Sequence, residues 1–338
     1  MRKVDSSKLK VGDIILSTAM DGFAPFIRGV TDSDISHAMI CVSESSVMDS
    51  TDEGVHARNI EKMFFDDRCA LYVMRPVVPV SNVRLEQIIS YVRCQTGGPY
   101  SKIEAGLSIF RIKLRGGRGQ FCSRLVARAY ASVGLQLVRA PNFCTPKDIR
   151  ESGALSIVPD AVVPVSDEDI IALETYGDTT IGMRDVTVDL LRRARSISPF
   201  IMTLSDINTF LDKNEKYDAR IAAAYRASGY LDYYQVELKR FPWRYSQELM
   251  NEAIISGDDE YRASIIRYCI KTLESEFALE ARHWVTNLSI YRNKYNSSSL
   301  ETYSLLCELY ENIVHNHKLR ERIAVCTLRM LGFGVKKV

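Results

Sequence analysis

The sequence predicts an α+β fold in which a small antiparallel sheet is followed by an all-helical segment. Short runs of β-branched and aliphatic residues, separated by turn residues, fill the first half of the chain, whereas only helical patterns follow after residue 166. With 338 residues the chain is long enough for two cores. We therefore expect one mixed domain over residues 1–165 and a helical bundle over residues 166–338.

The elements of the first domain are predicted from apolar alternation and from helix start and stop signals. Strands are expected over Val11–Ser17, Ser36–Val42, Ser46–Asp49 and Ala70–Arg75. Helices are expected over Val83–Arg93 and from Cys122 to a C-terminal cap at Gly134. An extended segment and linker over 158–164 closes the predicted domain.

The second half is interpreted as a bundle that packs many tyrosines between its helices. Helix starts are predicted at Ser205, Ser246, Asp258 and Ser299. Twelve of the 17 tyrosines lie between Tyr217 and Tyr310, as is typical of interhelical packing. We expect this half to serve in substrate recognition or in binding a protein partner.

The composition argues against a membrane-spanning, secreted, disulfide-rich or zinc-binding protein. No run approaches the ~18 apolar residues that span a bilayer, and the N-terminal residues lack a secretory signal, so we expect a cytoplasmic protein, or an effector exported by a dedicated secretion system. The eight cysteines show no CxxC pair and no zinc-ligand spacing, so no disulfide framework, metal or cofactor is expected. No nucleic-acid partner is expected either.

A local excess of positive charge precedes and enters the predicted Cys122 helix. Against the single acid Glu104, residues 102–128 contain seven cations: Lys102, Arg111, Lys113, Arg115, Arg118, Arg124 and Arg128. Such a stretch is either a solvated loop or a surface that attracts an anionic substrate or lipid.

Two segments suggest a nucleophilic thiol and its base. His37 stands at the start of an alternating strand, on the same face as Met39 and Cys41. Cys122 starts a helix whose apolar stripe faces the core. The positive end of the helix dipole, nearby cations such as Arg118 and Arg124, and a facing imidazole all favour a thiolate.

These segments, in this order, resemble the permuted NlpC/P60 papain-like hydrolases, in particular the YiiX/YebB-like group, which is related to the lecithin retinol acyltransferases. The resemblance covers residues 9 to about 163, and no single motif in it is strong. It is carried by seven stretches and their order: Val11-Gly12-Asp13-Ile14-Ile15-Leu16, Thr31-Asp32-Ser33-Asp34-Ile35-Ser36-His37-Ala38, Val47-Met48-Asp49-Ser50, Gly54-Val55, Gly98-Pro99-Tyr100, Phe121-Cys122-Ser123-Arg124-Leu125-Val126 and Thr145-Pro146-Lys147-Asp148-Ile149.

The resemblance implies that Cys122 is the nucleophile and His37 its general base, with Asp49 orienting the imidazole. Family members often carry a glutamate at the third position, and Asp34, Ser36 or a backbone carbonyl is an alternative acceptor for the ring. Tyr100 matches a tyrosine near such sites and is expected to bind substrate, as are Ser36 and Ser123. Backbone N–H groups of Cys122 or Ser123 are expected to stabilise an oxyanion.

Other polar residues are weaker candidates. His56, behind Gly54-Val55, is a possible second histidine, whereas Cys41 is expected to be packed. Cys144 lies in a predicted loop without a helix start to activate it. The histidines of the second half, at 283, 315 and 317, are interpreted as surface or interhelical residues rather than ligands.

Three functions follow as hypotheses. The first is a cysteine hydrolase that cleaves an amide or isopeptide bond, in a peptide or a peptidoglycan fragment, through a thioester intermediate. The second is a lipid acyltransferase or thioesterase of the lecithin retinol acyltransferase type, in which the cationic stretch meets phosphate headgroups. The third is a noncatalytic interaction protein.

Overall fold

The structure is a computed structural model that describes residues 1–18, 33–43, 45–101, 119–277 and 280–334. The chain forms two compact units, Met1–Asp212 and Lys213–Val338. All strands of the described residues belong to the first unit, and helices occur in both. The protein is therefore of the predicted mixed α+β class.

The first unit is built on a six-stranded antiparallel sheet with the order β5-β4-β3-β2-β6-β7. A two-stranded antiparallel sheet pairs β1 with β8. The strands are β1 Arg2–Val4, β2 Ile14–Ser17, β3 His37–Cys41, β4 Ser46–Thr51, β5 Gly54–Asn59, β6 Leu71–Pro76, β7 Leu155–Ile157 and β8 Val162–Pro164. The extended segment predicted as a linker is thus strand β8.

The six-stranded sheet is buried in its centre. All four residues of β2 are buried, and Ala38–Cys41 of β3 are fully enclosed. One core cluster, which includes Ile15, Met39, Cys41 and Val73, packs with residues of β1 and with partly buried residues around β8. Cys41 is therefore a packed residue, as predicted.

The helices of the first unit are α1 Asn82–Cys94, α2 Cys122–Ala131, α3 Pro146–Arg150, α4 Asp167–Tyr176, α5 Thr179–Ile197 and α6 Leu204–Leu211. Helix α2 packs against β3, β4 and α1. Its buried Tyr130 hydroxyl donates to the carbonyl of Gly12, next to the start of β2. This contact fixes α2 to the sheet.

The compact units divide after Asp212, so the boundary predicted near residue 165 lies inside the first unit. Helices α4 to α6 are tied to the segments around the sheet: Lys3 pairs with Asp169, and the Arg195 guanidinium donates to the carbonyl of Gly97 at 3.0 Å. The Leu204 N–H donates to the carbonyl of Thr96 at 3.1 Å. The end of the strand signals in the sequence is therefore not the end of the first unit.

The second unit contains α7 Asp218–Ser228, α8 Gln235–Arg240, α9 Gln247–Ser256, α10 Asp259–Phe277, α11 Glu280–Ser298 and α12 Glu301–Met330. Apolar residues of α9, α10 and α12 form one of its cores. The tyrosine packing predicted for this half is present: Tyr291 stacks on Tyr310 with ring centroids 5.3 Å apart, and Tyr303 is 1% exposed.

Helix starts in the second half follow the predictions to within two residues. Ser246 is the N-cap of α9, and the Asp258 carboxylate accepts from the Tyr261 N–H in the first turn of α10. Helix α6 begins after Thr203 instead, because Thr203 and Asp206 form a capping box.

Among the described residues, no helix is long and apolar enough to cross a membrane.

Candidate active site

His37 stands at the end of the sheet where several strands begin or finish. It is the first residue of β3 and lies opposite Ser17, the last residue of β2. Strand β4 extends past the paired residues of β3, so that Asp49 reaches the same region. The Nε2–H of His37 donates to Oδ2 of Asp49 at 3.0 Å. The acceptor predicted to orient the imidazole is therefore within hydrogen-bonding distance.

The alternative acceptors for His37 have other partners. The Asp34 carboxylate accepts from the Tyr72 hydroxyl at 2.9 Å and pairs with Arg150 at 2.8 Å. Ser36 is buried, and its N–H donates to the carbonyl of Ser17 at 3.0 Å. The carboxylate of Asp49, the first candidate, bonds the His37 ring at 3.0 Å.

Cys122 is the first residue of α2 and is 5% exposed. The preceding Phe121 is extended and provides no side-chain cap, and the first helical hydrogen bond runs from Leu125 N–H to Phe121 O. The N–H groups at 122 and 123 therefore have no helical acceptor. A thiol and uncapped amide donors at one helix start are the arrangement that stabilises both a thiolate and an oxyanion.

Extended residues beside β5 connect the edge of the sheet to the start of the Cys122 helix. Val55 of β5 exchanges two backbone hydrogen bonds with Gly97 and Gly98. Tyr100 then forms a parallel bridge with Gln120, two residues before Cys122. The pairing Val55–Gly98 followed by Tyr100–Gln120 links the edge of the sheet to the start of α2.

His37 interacts with Asp49 on one side and with Cys122 on the other. Burial alone would lower the pKa of His37, but hydrogen bonds with Asp49 and Cys122, and the charges of both groups, outweigh burial and raise this pKa to about 10. Since Nε2 is held by Asp49, Nδ1 is the nitrogen available to the thiol. The ring is accordingly an imidazolium at neutral pH, placed between a carboxylate and a sulfur.

Asp49 stays ionised although its side chain is 1% exposed. Burial would raise its pKa, whereas the hydrogen bond from His37 and the positive charges of His37 and Arg58 hold the pKa below its usual range. The carboxylate therefore supplies a fixed negative charge to the imidazolium across the neutral pH range.

The remaining predicted site residues lie around the start of α2. Tyr100 is partly exposed, and its backbone places it beside Gln120. Ser123 is buried, and its hydroxyl donates to the carbonyl of Cys144 at 2.7 Å. That hydroxyl is used within the fold, whereas the Ser123 N–H has no helical acceptor. Ser36 precedes His37 and is buried.

Of the predicted cationic approach, the structure describes Arg124 and Arg128. The residues at 102, 111, 113, 115 and 118 lie outside the described residues. Arg124 is 4% exposed; its guanidinium donates to the carbonyls of Gly119 and Asn142 and stacks on Phe121 with a distance of 4.3 Å to the ring centroid. It therefore ties the first turn of α2 to the segment before the helix and to the loop at Asn142.

Burial makes other cysteines poor nucleophiles. It raises the pKa of the Cys144 thiol to about 12, with the nearby Asp148 charge adding to the effect, and it raises the pKa of Cys269 to about 12. Cys144 lies beside the helix start, where its thiol donates to the carbonyl of Ser123 at 3.4 Å. It provides an internal comparison for Cys122.

Arg58 is not among the residues predicted from the sequence, and its strand, β5, was not predicted either. Arg58 Nη1 donates to the same Asp49 Oδ2 atom at 3.3 Å. His56 lies directly opposite Asp49 on β5, and its Nε2–H donates to the carbonyl of Glu53 at 2.6 Å. Successive residues of a strand point to opposite faces, so His56 and Arg58 share one face of β5. The sequence predicts this shared face only if residues 54–59 are recognised as a strand.

A cleft of about 430 Å³ opens at the same end of the sheet. Its wall includes Leu71, which pairs with Ser17, the strand partner of His37. Two strand spacings, ~10 Å, therefore separate this wall from His37. Charged and polar groups, among them Arg2 and Arg68, line much of the cleft.

Among the described residues, no group of three or more His, Cys, Asp or Glu side chains is arranged to hold a metal ion. In the second unit His283 makes a hydrogen bond of 3.1 Å between its Nε2 and the Asn287 amide. His317 Nδ1 accepts from the Arg320 guanidinium at 3.1 Å. Each contact lies within a single helix, and His317 is buried.

No family model and no curated protein matches the sequence. Among solved structures, the crystal structure of the metalloprotein YiiX from Escherichia coli O157:H7 is similar to this chain with a TM-score of 0.37 and 16% sequence identity. The likeness covers 45% of this chain and 97% of the YiiX chain.

Proposed function

We propose that this protein is a cysteine hydrolase in which Cys122 is the nucleophile, His37 the proton carrier and Asp49 the residue that holds His37. One observation carries the proposal: a partly buried histidine bonds both a carboxylate and a thiol that starts a helix, and its pKa is raised to about 10. A cysteine nucleophile uses such a histidine, which exchanges a proton with the thiol while the carboxylate holds its ring.

The proposed reaction proceeds in two steps. In the first, the Cys122 thiolate attacks the carbonyl carbon, an S–C bond forms, and the C–N bond breaks as the His37 imidazolium gives its proton to the leaving amine. In the second, His37 takes a proton from water, whose oxygen attacks the thioester and releases the acid and the thiolate. The N–H groups at the start of α2 would stabilise the oxyanion in each step.

For the substrate we propose an amide or isopeptide bond, in a peptide or a peptidoglycan fragment, rather than a lipid ester. The resemblance of the sequence to permuted papain-like hydrolases points to the same class of reaction.

Competitive alkylation tests the nucleophile. Iodoacetamide is applied at pH 6, and the labelled peptides of Cys122 and of the exposed Cys94 are quantified by mass spectrometry. We expect Cys122 to react faster than Cys94 although it is 5% exposed, because the neighbouring imidazolium favours its thiolate. Equal or slower labelling of Cys122 would contradict the proposal, as would unchanged labelling in His37→Ala.

Acyl transfer tests the reaction itself. Wild-type protein incubated with p-nitrophenyl acetate is expected to release p-nitrophenolate and to carry an acetyl group on Cys122, detected by intact mass. Cys122→Ala should lose both signals, and Cys144→Ala, which removes a buried thiol beside the same helix start, should retain them. The same mass measurement with peptide amides and with lipid esters then separates the two substrate classes.

A further inference from the structure

Asp49 lies buried between two cationic side chains. Its Oδ2 atom accepts from Nε2 of His37 at 3.0 Å and from Nη1 of Arg58 at 3.3 Å. The exposed fraction of the side chain is 1% for Asp49 and 45% for Arg58. Removing a carboxylate from water to this depth is costly, and positively charged partners are what keep it ionised.

The strand register gives Arg58 its reach. In the β4–β5 pairing Asp49 lies opposite His56, and Val47 lies opposite Arg58. Arg58 is therefore a diagonal neighbour of Asp49 on the same face of the sheet. Diagonal neighbours are ~7–8 Å apart, which a long side chain such as arginine spans.

The other charged groups around this face have different partners. Burial lowers the pKa of His56, so its ring is neutral near pH 7, and its Nε2–H is used by the carbonyl of Glu53. On α5, which packs on β5, Arg184 pairs with the Glu53 carboxylate at 2.5 Å. In the described part of the chain, Arg58 is thus the cation other than His37 that bonds Asp49.

We propose that Arg58 is a positioning residue of this active site, which keeps the Asp49 carboxylate charged and turned toward His37 in acidic solution. Because a single oxygen accepts from both cations, Arg58 fixes the rotation of the carboxylate as well as its charge. The consequence for catalysis rests on the proposed function. The contact itself does not, and it is open to a separate measurement.

The first experiment compares the rate of p-nitrophenolate release by wild type and by Arg58→Met from pH 4 to pH 8. The variant should lose up to about fivefold at pH 4, the size expected of a half-exposed ion pair, and almost nothing at pH 8, where Asp49 is ionised without help. Arg58→Lys should restore most of the loss. Arg193→Met removes a similarly exposed arginine paired with Asp189 and should leave the profile unchanged.

The second experiment follows the ring Cε1 proton of His37 by NMR as the pH is lowered, which requires no turnover. In wild type the signal shifts when Asp49 takes up its proton, and in Arg58→Met this step should move to higher pH. If the His37 signal shifts at the same pH in both proteins, the proposal is overturned. A loss of p-nitrophenolate release that is equal at every pH overturns it as well. If wild type forms no acyl-Cys122, the proposed function fails, while the NMR step still decides the role of Arg58.

Discussion

At the scale of single residues, the site contains an alternation of charge: the Asp49 carboxylate, the His37 imidazolium and the Cys122 sulfur lie in one row. Asp49→Asn keeps the shape of the row and removes its fixed negative charge. We expect the rate of Cys122 acylation by p-nitrophenyl acetate to fall about tenfold or more, since each ~1.4 kcal/mol of lost charge pairing is a factor of ten. Asp189→Asn, in a surface ion pair of α5, is the control and should retain the wild-type rate. An unchanged rate in Asp49→Asn would remove Asp49 from the mechanism.

The same row predicts how stability depends on pH. His37 has a folded-state pKa of about 10, above the ordinary value of 6.5, so its contribution is complete below pH 6.5 and is lost as the pH rises through 10. Asp49 has a lowered pKa, so its contribution is present above 3.8 and is lost as the pH falls through the folded-state value.

We therefore expect the difference in melting temperature between wild type and His37→Gln to be largest near pH 6 and to shrink steadily toward pH 10. Thermal unfolding followed by circular dichroism at pH 6, 8 and 10 measures it. A difference that grows with pH would mean that His37 is neutral in the folded protein.

Much of this residue-level arrangement was predictable. A histidine that starts an alternating strand and a cysteine that starts a helix are local patterns, visible within a few neighbours of His37 and Cys122. Arg58 was not predictable, because its meeting with Asp49 depends on the register between two strands. No local pattern specifies which residues lie on a diagonal.

At the scale of elements, strand β5 shows why a local pattern can fail. Its sequence, Gly-Val-His-Ala-Arg-Asn, has few apolar residues, and only its first three residues are buried. A strand with one half at the surface carries a weak period-two signal. What makes it a strand is its full pairing with β4, from Gly54–Thr51 to Asn59–Ser46.

The segment after α1 depends on a glycine. Gly97 has φ +78°, and a Cβ atom built there would lie 1.9 Å from Cδ1 of Leu191 on α5. We expect Gly97→Ala to lower the free energy of unfolding by about 2 kcal/mol or more, from backbone strain and steric clash together. Gly153→Ala is the control, since a Cβ there meets nothing within 4 Å. Urea unfolding followed by circular dichroism compares the stabilities of the two variants. Equal stabilities would show that Leu191 moves aside to accommodate the added Cβ atom.

At the scale of the whole molecule, the division after Asp212 predicts where the chain can be cut. Leu190, Leu191 and Ala194 of α5 are buried, and a chain that ends at Pro164 lacks all of them. A fragment of residues 1–212 should fold cooperatively and keep the fast alkylation of Cys122, whereas a fragment of residues 1–164 should aggregate or melt at a lower temperature. The melting temperature and the rate of Cys122 alkylation are measured for both fragments. Equal values in the two fragments would support a domain boundary near residue 165.

The boundary between the two units was harder to predict than the helices and strands. Sequence composition indicates local secondary structure, but it does not indicate which unit a helix packs against. Helices α4 to α6 have ordinary helical patterns, and nothing in them distinguishes a helix that packs on a sheet from one that belongs to a bundle. Their attachment depends on contacts such as Arg195 with Gly97, which join residues about a hundred positions apart.

The pairing of Val55 with Gly97 and Gly98 has a consequence for how a peptide can approach. Many peptide-binding proteins recruit a ligand by strand addition, in which the ligand forms backbone hydrogen bonds along an open sheet edge. Here the outer N–H and C=O of Val55, on the last strand of the sheet, are already bonded to the chain itself. Strand addition at Val55 is therefore closed to the peptide substrate that we propose, and we expect its recognition to come from its side groups.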